Sequence, residues 1–300
     1  MLAVGEFRFY RFEDENLDEE SLLYLMQQRN ENPETRKIHL EQLRGMILEN
    51  KSLNPCLEEN FLLRFLRGAK YDIHKAYNRM QKYYNLRNIY PDVFSNFVPS
   101  STLQVQSLQH LTALPYRGKD KTVVIIVKMG NIDSSLASFE EILRFDLLIL
   151  ETLLINPATQ LTGISFIFDL NGFSNQQIAL FTPRNLRMCM DVFQYSSYMR
   201  IKNLHFINTP GLLYTLYRCL FPMMLEKYKD RTVAHLNDDN WESFHSYFPP
   251  EILPEEYGGQ LKSSDMVNLN DILNEKEEVF HDRLQYRILE STFVVEEVDA

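Results

Sequence analysis

The chain has 300 residues, 45% of them apolar, and a formal net charge of −10. That is enough apolar material for a sizeable core in one large domain or two, and the acidity argues against a protein that works by neutralising nucleic-acid phosphates. The cysteines Cys56, Cys189 and Cys219 are odd in number and far apart, which gives no disulfide framework and no paired-cysteine metal motif.

No run of eighteen apolar residues occurs and the N-terminus lacks a signal-peptide core, so the expectation is a soluble, cytosolic chain. The charge is uneven. Residues 251–300 hold 13 acidic and 4 basic side chains, whereas 196–235 hold 6 basic and 2 acidic. Most of the acidity is a tail, and the positive charge is a local patch.

Residues 1–16 are set apart as an N-terminal segment, and 17–90 predict a helical bundle. Leu22, Leu23, Leu25 and Met26 begin one helix; Pro33 opens another through Ile38, Leu40, Leu43, Met46 and Ile47. Phe61, Leu62, Phe65 and Leu66 form one face of a third helix, with Gly68 as its expected C-cap. Asp72 is the expected N-cap of a fourth that carries Ile73, Ala76, Tyr77 and Met80. Arg64 and Arg67, three apart on the polar side, read as a solvated face. Pro91 and Pro99 then mark a boundary.

Beyond it, strands alternate with helices. The β-branched run Thr122–Val127 reads as a strand buried on both faces, and a helix follows over about Ser138–Leu154. Gly163–Leu170, Asn203–Asn208 and Thr232–Leu236 read as further strands, with a helix over about Pro183–Tyr195 between the first two. Helical connections of this length imply crossovers, so residues 100–260 predict an α/β domain on a mainly parallel sheet. Residues 261–300 are an acidic tail, in which Leu269, Ile272, Leu273, Val279 and Phe280 space out one peripheral helix.

The stretch Gly211–Arg231 stands out. Leu212, Leu213, Leu216, Leu220, Phe221 and Met224 put apolar side chains around nearly a whole helical circumference, and Lys227, Lys229 and Arg231 follow at once. Pro222 predicts a bend. Such a segment is either a buried core helix or a lid at a membrane interface.

Catalytic motifs are missing: there is no phosphate loop, dinucleotide fingerprint, nucleophile elbow or HExxH zinc motif. The seven histidines show no metal-ligand spacing and read as structural. Asp169, at the end of a strand, reads as the cap of the next loop. Ile125 and Val127, Phe166 and Phe168, and Phe206 supply apolar strand positions that are either plain core or one wall of an apolar cavity.

The successive blocks FLLRFLRGAKYDIHKA, GISFIFDLNGF, NLHFINTP, EKYKDR and HSYFPPEILPEEYGG resemble, in that order, a CRAL-TRIO (Sec14-like) lipid-binding protein over roughly Leu17–Gly259. Within that family the chain most resembles the α-tocopherol transfer protein and cellular retinaldehyde-binding protein branch. The resemblance implies an N-terminal helical bundle, an α/β lipid-binding domain with Leu212–Tyr228 as a gate over an apolar pocket, and no catalytic step. Positions matching the pocket wall are Ile164, Phe168, Phe173, Cys189, Val192, Phe193 and Leu204. The tocopherol carrier has a tryptophan at the position of Phe173 and a larger aliphatic at that of Cys189, which implies a cavity of different shape.

A phosphoinositide-binding cluster in the same relative matches Arg200, Lys202, Lys227 and Arg231, with Arg64, Arg67 and Lys229 as further candidates. All are basic here. The expected function is a carrier of one retinoid-like, tocopherol-like or similar lipid. It exchanges its cargo at phosphoinositide-containing membranes, as a peripheral monomer without metal, cofactor or nucleic acid. The alternative is a phosphoinositide-responsive, lipid-sensing adaptor whose acidic tail meets a partner; an α/β hydrolase or lyase acting on lipids, lacking a nucleophile motif, ranks last.

Overall fold

The computed structural model describes residues 1–5, 7–195, 199–209, 221–235 and 240–289. The first segment is more structured than its sequence suggests. Strands β1 (Leu2–Val4) and β2 (Phe7–Phe9) pair as an antiparallel hairpin. Phe9 is fully buried against the far face of the central sheet.

Four helices follow: α1 (Glu19–Gln27), α2 (Pro33–Glu49), α3 (Glu59–Gly68) and α4 (Ile73–Ile89). Local sequence sets their starts. Asp18, Asn32 and Asp72 each accept a hydrogen bond from a first-turn backbone N–H, and Pro33 occupies a first-turn position where its missing N–H costs nothing. The expected cap at Gly68 is corrected: Gly68 is the last helical residue, and the left-handed turn falls on Lys70 and Tyr71.

The solvated-face reading of Arg64 and Arg67 is also corrected. Every residue of α3 from Phe61 to Arg67 is buried, because the bundle covers one side of the helix and the α/β domain the other. The arginines are accommodated by carboxylates. Arg64 Nη1 donates to Glu151 Oε2 at 2.6 Å, and Arg67 reaches Glu31 and the Gln160 amide.

Short helices α5 (Pro91–Phe94) and α6 (Leu103–Gln106) lead into a five-stranded sheet in the order β4 (Leu111–Ala113), β5 (Val123–Lys128), β6 (Ile164–Asp169), β7 (Ile201–Ile207), β8 (Thr232–Ala234). The strands β5 to β8 are parallel. The three-residue β4, too short to show a pattern in sequence, adds antiparallel at the edge. The crossover from β5 to β6 runs through α7 (Phe139–Leu153) and α8 (Pro157–Thr162). That from β6 to β7 includes α9 (Asn175–Ile178) and α10 (Pro183–Met190). A reciprocal Ser138–Glu141 capping box starts α7. Gly163, at φ +91°, joins α8 to β6; a Cβ there would lie 2.4 Å from the Arg200 carbonyl oxygen.

Strand alternation divides two cores. Val124, Ile126, Ile167 and Ile207 face one way and pack with Phe244, Phe248, Ile252, Leu253 and Tyr257 from the YFPPEILPEEYGG block. Asp169 clasps that block to the sheet: it accepts from the Tyr257 hydroxyl at 2.8 Å, the Asn208 amide at 2.7 Å and the Asn171 backbone N–H at 2.9 Å. Its role is broader than the single loop cap expected.

The tail is not one peripheral helix. Leu269–Asn274 and Glu277–Arg283 are separate short helices, and β9 (Arg287–Ile288) pairs antiparallel with β3 (Leu53–Asn54) in the bundle. Leu269, Leu273 and Phe280 are buried, so apolar burial draws the tail inward despite its charge.

Candidate functional site

The other face of the sheet floors a cavity of about 270 Å³. Register builds the floor as two cross-strand rows: Ile125, Phe166 and Leu204 lie abreast, and Val127, Phe168 and Phe206 form the next row. Phe168 stacks on Phe166 with centroids 5.9 Å apart and on Phe206 at 4.9 Å. The roof comes from α7, whose Phe139, Ile142, Leu143, Asp146 and Leu150 share one helical face, and from Cys189, Met190 and Phe193 at the end of α10. Leu180, Phe181, Met224 and Tyr228 contribute further wall.

Of the expected pocket residues, the structure places Ile125, Val127, Phe166, Phe168, Cys189, Phe193 and Leu204 on this wall. Three expectations are corrected. Ile164 lies one row further down β6, fully buried in the core. Phe173 stands behind the wall residue Phe181, centroids 6.5 Å apart. Val192 sits in the π-helical turn Asp191–Tyr195 and faces a separate small void with Tyr83, Phe97 and Met199.

Of the expected gate residues, Leu212, Leu213, Leu216 and Leu220 lie outside the described residues. Met224 lines the cavity. Phe221 does not: it belongs to a 3₁₀ turn with Pro222, and the Lys229 ammonium lies 5.3 Å from its ring.

The wall is almost wholly apolar, and its polar groups are few. The Gln177 amide nitrogen donates to the Ile132 carbonyl at 2.7 Å, while its oxygen accepts from the N–H and hydroxyl of Ser174. The Tyr228 hydroxyl donates to the Phe193 carbonyl at 3.1 Å. Burial, and then the neighbouring Asp146, push the Cys189 thiol up to about 12, which keeps it a neutral S–H. Asp146 shares a 2.8 Å hydrogen bond with Nε2 of the buried His110. Sequence reading missed Asp146, although a lone carboxylate on an otherwise apolar helical face was a signal.

A second feature lies at the N-terminal ends of β6, β7 and β8. Arg200 immediately precedes β7, Lys202 is its second residue, Lys227 lies on the short helix Glu226–Lys229, and Arg231 immediately precedes β8. Arg231 Nη1 is anchored on the Ile201 carbonyl at 2.7 Å. Burial lowers the proton affinity of Arg200, Lys202 and Lys227, with Arg231 adding repulsion at all three, Arg79 and Lys75 at Lys227, and Asp120 opposing at the first two.

Sequence reading also missed Arg29, just past α1. It is buried, donates to the carbonyls of Leu161 and Arg67, and has no partner for Nε. Burial and the charges of Arg200, Arg67 and Arg231 lower it to about 9. None of these five cations forms an ion pair among the described residues, whereas Lys229 is neutralised by Glu226 at 2.7 Å. Arg64 and Arg67, held in the interior, are not part of this surface.

Residues 109–259 match the CRAL/TRIO domain, and 32–102 match the Pinta-like, UBA domain. The chain belongs to the CRAL/TRIO family. This is typically a family of lipid-binding and lipid-transfer proteins. Clavesin-2 of Rattus norvegicus is 30% identical over 90% of this chain and 82% of its own length. Alpha-tocopherol transfer protein-like of Mus musculus is 31% identical over 88% and 77%. The crystal structure of Sfh5 aligns with a TM-score of 0.46 and 12% identity over 73% of this chain and 81% of that one, too distant to add to the assignment. No helix among the described residues is long and apolar enough to cross a membrane.

Proposed function

We propose that this CRAL/TRIO chain is a cytosolic carrier that holds one small hydrophobic lipid, such as a retinoid or tocopherol, in the cavity and exchanges it at phosphoinositide-containing membranes. The observation that carries this reading is the cavity itself, about 270 Å³ of space walled by aromatic and aliphatic side chains. It sits just below the ~300–1,000 Å³ of ordinary ligand pockets. Burying about 200 Å² of apolar ligand surface there contributes roughly 5 kcal/mol.

The second half of the reading rests on Arg200, Lys202, Lys227 and Arg231. Cations that repel one another and lack carboxylate partners lose that repulsion when a multiply charged phosphate headgroup arrives, through charge-assisted hydrogen bonds. Mass spectrometry of an organic extract of the natively purified protein tests the first half; one apolar species at about one per chain is expected. Vesicle transfer tests the second. Lys227→Ala with Arg231→Ala is expected to slow delivery to phosphoinositide vesicles while cargo stays bound, and unchanged delivery removes the cluster from the mechanism.

A further inference from the structure

Among the described residues of the cavity wall there is one carboxylate, and it is held in place. Asp146 interrupts the cavity-facing stripe of α7 between Leu143 and Leu150. Its Oδ1 takes the hydrogen bond from His110; no other described polar group hydrogen-bonds the carboxylate, so Oδ2 is left with an open acceptor. The amide of Gln177 and the hydroxyl of Tyr228 are engaged with neighbouring protein groups, and Cys189 offers a weak S–H donor.

His110 holds the carboxylate in place. Its side chain is completely buried, its ring lies 5.4 Å from that of Phe145, and its Nδ1 has no partner. An acceptor-only carboxylate requires the Nε2 proton to lie between the two groups, which fixes the imidazole and aims the remaining oxygen.

We propose that Asp146, positioned by His110, receives the polar end of the bound molecule, so that the cavity selects an apolar chain or ring system bearing one neutral hydroxyl over the corresponding ether and carboxylic acid. The inference rests on the carrier reading and names the class of its cargo. A hydroxyl donates into the open acceptor. An ether has no proton to give, and an ionised acid places like charge against the carboxylate. A site built around a hydrogen bond to a substrate hydroxyl discriminates against the analogue that lacks it, because the ligand covers the acceptor, 27% exposed in the unliganded chain, without meeting it.

The test uses an uncharged fluorescent polyene, diphenylhexatriene, loaded into the full chain and displaced by geranylgeraniol, its methyl ether and geranylgeranoic acid. A saturated C16 alcohol, methyl ether and acid form a second series. The alcohols are expected to compete about 10- to 100-fold better than the ethers, the span of a hydrogen bond to a charged acceptor. Asp146→Leu is expected to bring alcohol and ether level. Asp146→Asn, which can turn an N–H₂ toward the ligand, is expected to relieve the exclusion of the acid.

His110→Phe is expected to shrink the alcohol-to-ether ratio, a readout that a merely structural contribution to the core does not move. Two failures are distinct. Equal competition by alcohol and ether in the wild-type chain overturns the role of Asp146 and leaves the carrier standing. No entry of the polyene, or no displacement by either series, removes the carrier reading and this inference with it.

Discussion

Arg67 and Glu31 meet inside the protein as a two-pronged ion pair, Nε to Oε2 at 2.8 Å and Nη2 to Oε1 at 2.9 Å, where Arg67 also donates to Gln160 at 2.8 Å. The contact joins α3 to the turn after α1, and through Gln160 to α8 of the α/β domain. Arg67→Ala leaves a buried carboxylate without its main counter-charge and is expected to cost about 3–5 kcal/mol. Arg67→Met with Glu31→Leu removes both charges and is expected to cost much less. Urea unfolding of the two variants against wild type measures the difference; equal losses would show that the charges do not act as a pair.

Arg29 poses the opposite balance. It is buried among Arg200, Arg67 and Arg231, with Glu31 the opposing charge and backbone carbonyls as its acceptors. Replacing such a cation by an apolar side chain of similar length removes both its desolvation cost and the repulsion from its neighbours. Arg29→Met is therefore expected to raise the urea midpoint while weakening association with anionic vesicles, a trade of function for stability. Calorimetry and vesicle co-sedimentation check the two signs separately. A destabilised variant would mean that the carbonyl contacts outweigh the repulsion.

The difference between what was and was not legible in sequence follows from period and distance. The run TVVIIV announced β5 because continuous β-branched character over six residues has few other uses, and Asp72 announced a helix start because its oxygen caps the nearby Lys75 N–H at 2.9 Å. The burial of Arg64 was not legible. It depends on Glu151, 87 positions away, and on Arg283 near the other end of the described chain. Ile164 and Phe168 lie on the same face of one strand, and sequence could not say which row the cavity reaches. Asp146 was legible as an anomaly in a stripe; its partner His110, 36 residues earlier, was not.

On the sheet face away from the cavity, His205 Nδ1 lies 3.0 Å from His235 Nε2, with His235 Nδ1 2.8 Å from the Ser243 hydroxyl. Burial, then the charge of His235, lowers His205 to about 3 from an ordinary 6.5. Its folded form thus binds fewer protons than its unfolded form between those values, and its contribution is intact above about pH 6.5 and declines as pH falls toward 3. At pH 4 the loss assigned to this group is about 3 kcal/mol relative to pH 7. His205→Leu is expected to flatten that part of the stability profile. Parallel urea titrations at pH 4 and 7 decide it: an unchanged slope means that other groups carry the acid sensitivity.

The C-terminal segment gives the last expectation. Phe280 packs edge-on to Phe97 with centroids 6.0 Å apart, Leu289 N–H donates to the Ser52 carbonyl at 2.7 Å, and Ile288 pairs with Leu53 across β9 and β3. Ending the chain after Asn268 removes the buried side chains Leu269, Leu273, Phe280 and Ile288. At about 1.5–3 kcal/mol each, their loss totals roughly 6–12 kcal/mol as an upper bound. That is comparable with the whole stability of a typical domain, about 5–15 kcal/mol. A chain ending at Asn268 is expected to be unfolded or aggregated, and one ending at Leu289 to melt within a few degrees of the full chain. The charge density of the segment thus conceals a structural clasp. A partner-binding role for the acidic tail is testable only with the second truncation, because the first changes the fold along with the charge. Circular dichroism melts of both chains decide the point; a cooperative transition in the shorter one would show that the bundle and sheet hold without the clasp.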